Sequence, residues 1–163
     1  MNNADVDLHL TQCRMELDHV QTAISTLGVM SPVTPYLTNY AVIRACGAVE
    51  VSFKSLIADF CTKRSKKQVK RFIHMKVKRG SANPSHKNIT AILNQFDEEW
   101  EKNFKKNLKL DPNKQSLLDS LQSLVDARNE FAHGGSPTIT IADVIQHFDH
   151  ARRVVEHVDS IIV

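Results

Sequence analysis

Apolar residues recur every three or four positions along most of this chain, a spacing that fits the turn of an α-helix and not the two-residue alternation of a strand. Leu10, Cys13, Leu17, Val20, Ile24 and Leu27 form the first series, and Gly28 follows where a helix-ending glycine belongs. Val42, Ile43, Cys46, Val49, Phe53, Leu56, Ile57 and Phe60 form a second, with Thr38 or Asn39 as its cap. The stretch NITAILNQFDEEWEKNFKKNLK reads as one helix with Ile89, Ile92, Leu93, Phe96 and Trp100 inward, ending before Asp111-Pro112. A further helix runs from about Asn113 to His133 through Leu117, Leu118, Leu121, Leu124, Val125 and Phe131. The last starts near Thr140, with Asp143 placed for a capping box, and turns Ile141, Val144, Ile145, Phe148, Ala151, Val154, Val155, Val158 and Ile161 inward.

With only 5 glycines and 5 prolines in 163 residues, the chain has few of the tight turns a sandwich or barrel needs. The expectation is an all-α fold: one domain over residues 1–163, an antiparallel up-and-down bundle of four long helices plus short ones. No apolar run approaches the roughly 18 residues of a membrane span, and MNNADVDLHL lacks the pattern of a secretory signal. Cys13, Cys46 and Cys61 lie within helical patterns and lack ligand spacing, so they read as reduced, buried residues. A cytoplasmic protein without metal or cofactor is expected.

The net charge of +3 hides an uneven distribution. Residues 63–79 hold nine bases and no acid: Lys63, Arg64, Lys66, Lys67, Lys70, Arg71, Lys76, Lys78 and Arg79. Elsewhere twelve bases face eighteen acids. Such a run is either a solvated face or a phosphate-binding footprint for RNA, and it also suits docking of an acidic protein. Its helical part, through Val69, Phe72, Ile73 and Val77, is expected to pack Phe72 inward and to contact RNA by charge. Glu50 interrupts the apolar face of the second helix; an ion pair with Lys54, four residues on, is its natural partner. His147, His150 and His157 lack a set of metal ligands and are expected on an exposed surface.

The segment LVDARNEFAHGG gathers Arg128, Asn129 and His133 at a helix end. Asn129 and His133 are one turn apart on one face, so the amide can orient the imidazole. The negative end of the helix dipole favours an imidazolium at His133. Arg128 lies about 140° round and about 7.5 Å along, within reach of its long side chain. The set offers a proton-transfer histidine and a phosphate-binding guanidinium, without an accompanying acid, metal ligand or activated serine. Attack of an RNA 2′-OH on its own phosphate needs only these groups, with the arginine stabilising the pentacoordinate charge. A histidine before a C-terminal glycine is also favoured by the dipole alone, and R-x4-H by itself is a short pattern.

ARNEFAHGG resembles the signature of the HEPN superfamily, all-α domains marked by R-x4-6-H, a polar residue after the arginine and often a following glycine. Arg128, Asn129 and His133 match its positions, and the motif lies at the end of a late long helix with one more helix following. IRACGAVEVSFKSLIADF resembles that family's second helix, with Glu50 as an acid near the motif. The resemblance covers the whole chain and implies a metal-independent endoribonuclease that leaves 2′,3′-cyclic phosphate ends, acting as a homodimer with a composite active site. It also implies a toxin held by an antitoxin protein, or an antiviral-defence effector. The alternative is an inactive RNA-binding or assembly module that works through residues 63–79.

Overall fold

The structure, a computed structural model, describes residues 1–162. Seven α-helices follow in order: α1 (Ala4–Leu27), α2 (Thr34–Thr62), α3 (Lys67–Ile73), α4 (His86–Phe96), α5 (Glu98–Leu110), α6 (Lys114–Ala132) and α7 (Ile141–Ile161), with a π-helical turn, His74–Lys78, continuing α3. No strand occurs among the described residues, and the expected all-α bundle is the fold. The four long helices α1, α2, α6 and α7 form its body, with α2 and α7 central and α4 and α5 packed alongside. None of these helices is long and apolar enough to cross a membrane.

The apolar series explain the packing. Leu10, Cys13, Leu17, Val20 and Ile24 of α1 are buried, as are all nine inward residues expected of α7. Leu27 departs from its series and is exposed, because the chain turns away at Gly28. Thr140 caps α7 in a complete capping box with Asp143. Asp111, at the turn between α5 and α6, has a side chain 2% exposed that pairs with Arg153 of α7 at 3.0 Å and is hydrogen-bonded to His157 of α7 at 2.9 Å.

Three features differ from the sequence reading. Helix α2 begins at Thr34, ahead of Thr38 and Asn39, because Pro35 fits a first helical turn whose N–H groups need no partner. The single helix expected over 88–109 is two, divided at Asp97, whose extended backbone and side chain cap Glu99 N–H. Glu98, Glu99 and Glu101 then sit in the first turn of α5, where acids favour a new start over continuation of α4. His147, His150 and His157 are half-buried, not exposed: the first two share the buried Ser120 hydroxyl at 3.2 and 2.7 Å, and His157 holds Asp111.

Candidate functional site

Helix α6 presents Arg128, Asn129 and His133 at its C-terminal end, with Arg128 and His133 exposed and Asn129 half-buried. His133 is the cap residue, and the two glycines after it build the stop. Gly134, at φ +84°, donates its N–H to Phe131 O at 3.0 Å, and Gly135 donates to Glu130 O at 2.9 Å. These two bonds make a Schellman motif, and the His133 N–H is itself shared between Asn129 O and Glu130 O. Three of the last four helix carbonyls are therefore satisfied. The backbone of His133 is held firmly while its ring projects to solvent.

Asn129 takes a side-chain partner other than the one expected. Its Oδ1 accepts from Arg128 Nη1 at 3.2 Å, and among the described residues no hydrogen bond joins its amide side chain to the His133 ring. The amide thus orients the guanidinium. An acid missed in the sequence also lies here: Glu130, one turn before His133, folds so closely over Gly135 that a Cβ there would meet its Cγ at 2.6 Å. Its i−3 spacing from the histidine was the available signal.

Across from α6, the Cys46 thiol of α2 is pushed up to about 11 by burial, with Arg128 opposing and Glu50 adding to the shift. The charges of Arg128 and Glu50 are thus both felt at this one buried thiol. Glu50 also receives Lys54 Nζ, the expected pair. Lys54 itself is 2% exposed, and its ammonium donates as well to Gly80 O at 2.6 Å. This buried lysine ties the end of the basic segment to α2.

The nine basic residues are all exposed, from Lys63 at the end of α2 to Arg79 after the π-helical turn. Lys78 pairs with Asp59 of α2 at 2.8 Å; the other eight form no ion pair among the described residues. Ile73 and Val77 face inward, against Ala58, Cys61 and Phe96, in a small cluster separate from the main core. Phe72 does not join them: it is 60% exposed. The inward pair at i and i+4 defines one face, which leaves Val69, Phe72 and Lys76 on another.

No curated protein and no solved structure gives a significant match to the chain. Residues 14–163 match the family model RiboL-PSP-HEPN, which takes in α2 to α7 and most of α1. The chain belongs to this HEPN family.

Proposed function

We propose that the protein is a metal-independent endoribonuclease that cleaves RNA by attack of a 2′-OH on the adjacent phosphate, leaving a 2′,3′-cyclic end. The observation that carries this reading is the exposed Arg128–Asn129 pair beside His133 on a glycine-fixed helix end. His133 moves the proton at the 2′-oxygen or the leaving 5′-oxygen, and Arg128, held by Asn129, stabilises charge on the phosphate. Glu50, one turn from Cys46 on α2, adds a carboxylate whose field acts on the same thiol as that of Arg128. The basic segment supplies the electrostatic attraction for the RNA strand.

A second copy of the chain completes the site. Tyr36, Tyr40, Ile43, Gly47 and Val51 fall within one narrow stripe of α2, and its four large residues are exposed although the helix buries its opposite face. The stripe borders Glu50, so a partner seated on it brings a second motif towards the first. A role as toxin or defence effector, held by an antitoxin, fits such an enzyme.

The test is incubation of purified protein with total RNA in excess chelator, beside Arg128→Ala and His133→Ala. Cleavage that survives chelation, leaves cyclic phosphate ends and is lost in both variants is the expected result. Wild-type rates in both variants would overturn the site. Binding without cleavage by the wild type would leave an RNA-binding or assembly module that uses residues 63–79.

A further inference from the structure

We infer that the cavity beside Phe72 takes an unpaired nucleobase of single-stranded RNA, with the Phe72 ring stacked on the base. The inference rests on the RNA reading above and names a contact that reading does not contain.

The cavity measures about 370 Å³ and lies where the end of α3 and the π-helical turn meet α4. Phe72, Ile73, Val77, Ile92 and Phe96 form its apolar walls, and Lys76 and Gln95 add polar groups. Its size suits a small planar ligand, and apolar walls with a few polar groups are what such a ligand requires. The Gln95 amide has no hydrogen-bond partner among the described residues, leaving a donor and an acceptor for a base edge. Lys76 likewise has no ion pair and can meet the phosphate joined to that base.

The charge around the cavity selects the occupant. An exposed aromatic ring alone would suit many partners, but this one stands within a run of nine cations that contains no acid. Aromatic rings among backbone-binding cations are the means by which proteins hold single strands, since every base offers a π-face. A base paired in a duplex keeps its faces against its neighbours and cannot enter. The backbone geometry agrees: Ile73 and Val77 turn in to the small cluster with Ala58, while the π-helical turn carries Lys76 to the cavity.

The test uses 2′-O-methyl oligoribonucleotides, which cannot be cut by 2′-OH attack, with affinity read by fluorescence anisotropy across a salt series. Three probes serve: a single strand, the same strand with abasic positions, and a duplex. Wild-type protein binds the single strand most tightly. Phe72→Ala, at an exposed position, weakens that binding by about tenfold or more. It leaves the salt slope and the affinity for the abasic strand unchanged. Lys76→Ala instead makes the salt slope shallower by about one. If Phe72→Ala binds the single strand as tightly as wild type with the same slope, the cavity takes no base, while the RNA reading survives. Equal weakening on intact and abasic strands overturns the stacking as well. Failure of all three probes to bind at low salt overturns both readings. An acidic polypeptide bound more tightly than RNA, and lost in Phe72→Ala, would assign the cavity to a protein partner and overturn the inference.

Discussion

Replacing Lys54 with methionine tests whether one buried ammonium fastens the basic segment to the bundle. Methionine keeps an unbranched apolar stem and removes the charge and its donors. Two groups then lose their partner: the Glu50 carboxylate and the Gly80 carbonyl. Breaking a fully buried pair costs about 3–5 kcal/mol, mostly from the charge left behind. The Glu50 side chain is 26% exposed and can recover some hydration, and the ammonium's own desolvation no longer counts against the fold. About 2 kcal/mol is therefore expected, of which the Gly80 carbonyl accounts for about 1 kcal/mol. With a urea slope of about 2 kcal/mol/M, the midpoint falls by about 1 M. Adding Glu50→Gln in the Lys54→Met background removes the stranded charge and recovers roughly half of the loss. Hydrogen exchange should quicken most across residues 67–80, the segment that loses its tie. A midpoint equal to or above that of wild type would refute the reasoning, because the cost of burying the ammonium would then outweigh its two bonds. A double variant no more stable than Lys54→Met would refute the stranded carboxylate as the cause.

Gly134→Ala forces an L-residue to φ +84° and should cost about 1–2 kcal/mol, read by urea unfolding, with loss of cleavage as His133 shifts. Ile43→Asp, in the middle of the exposed stripe of α2, should give a monomer by light scattering and abolish cleavage while the melting temperature changes little. His9, His86 and His147 are each held below the ordinary histidine range, chiefly by burial. The unfolded chain then binds more protons just below pH 6.5, so the urea midpoint should fall as pH drops from 7 towards 5.5. Asp111 is held below the usual carboxylate range by the Asn113 N–H, then by His157 and Arg153. Its contribution is present above about pH 4 and is lost as pH falls through its folded value, so the stability gap between wild type and Asp111→Asn should close in that acid range.

The long helices were legible because each buries a stripe against a core, and burial enforces the three- and four-residue spacing that a reader can see. Helix α7 illustrates this: all its expected inward residues are inward, and its cap is where Thr140 and Asp143 place it. Errors gathered where two local preferences compete. Asp97 continues a helical pattern yet also makes an N-cap, and the three glutamates around it tip the balance towards a break. Phe72 looked inward because apolar residues usually are. Its helix has only one supported face, however, and Ile73 and Val77 already occupy it. The bond between Asn129 and Arg128 was not legible, since neighbouring residues on a helix point about 100° apart and only a long side chain can close that gap.

The place of Glu50 follows from both of its neighbours. One turn along α2 it holds Lys54, and Lys54 holds the carbonyl that ends the basic segment. One turn back is Cys46, the thiol on which the charge of Arg128 also acts. A single carboxylate is thus tied through Lys54 to the end of the basic segment and, through its charge, to the thiol that also feels the proposed catalytic arginine. If Glu50 served only as counterion to Lys54, Glu50→Gln would lower stability and leave the cleavage rate of the folded protein unchanged. A carboxylate that also sets the field on Arg128 predicts more: Glu50→Gln should lower the turnover of folded protein, and Lys54→Met, which leaves the acid in place, should chiefly raise the RNA concentration needed for half-maximal rate. Equal changes in both variants would reduce Glu50 to a structural partner of Lys54.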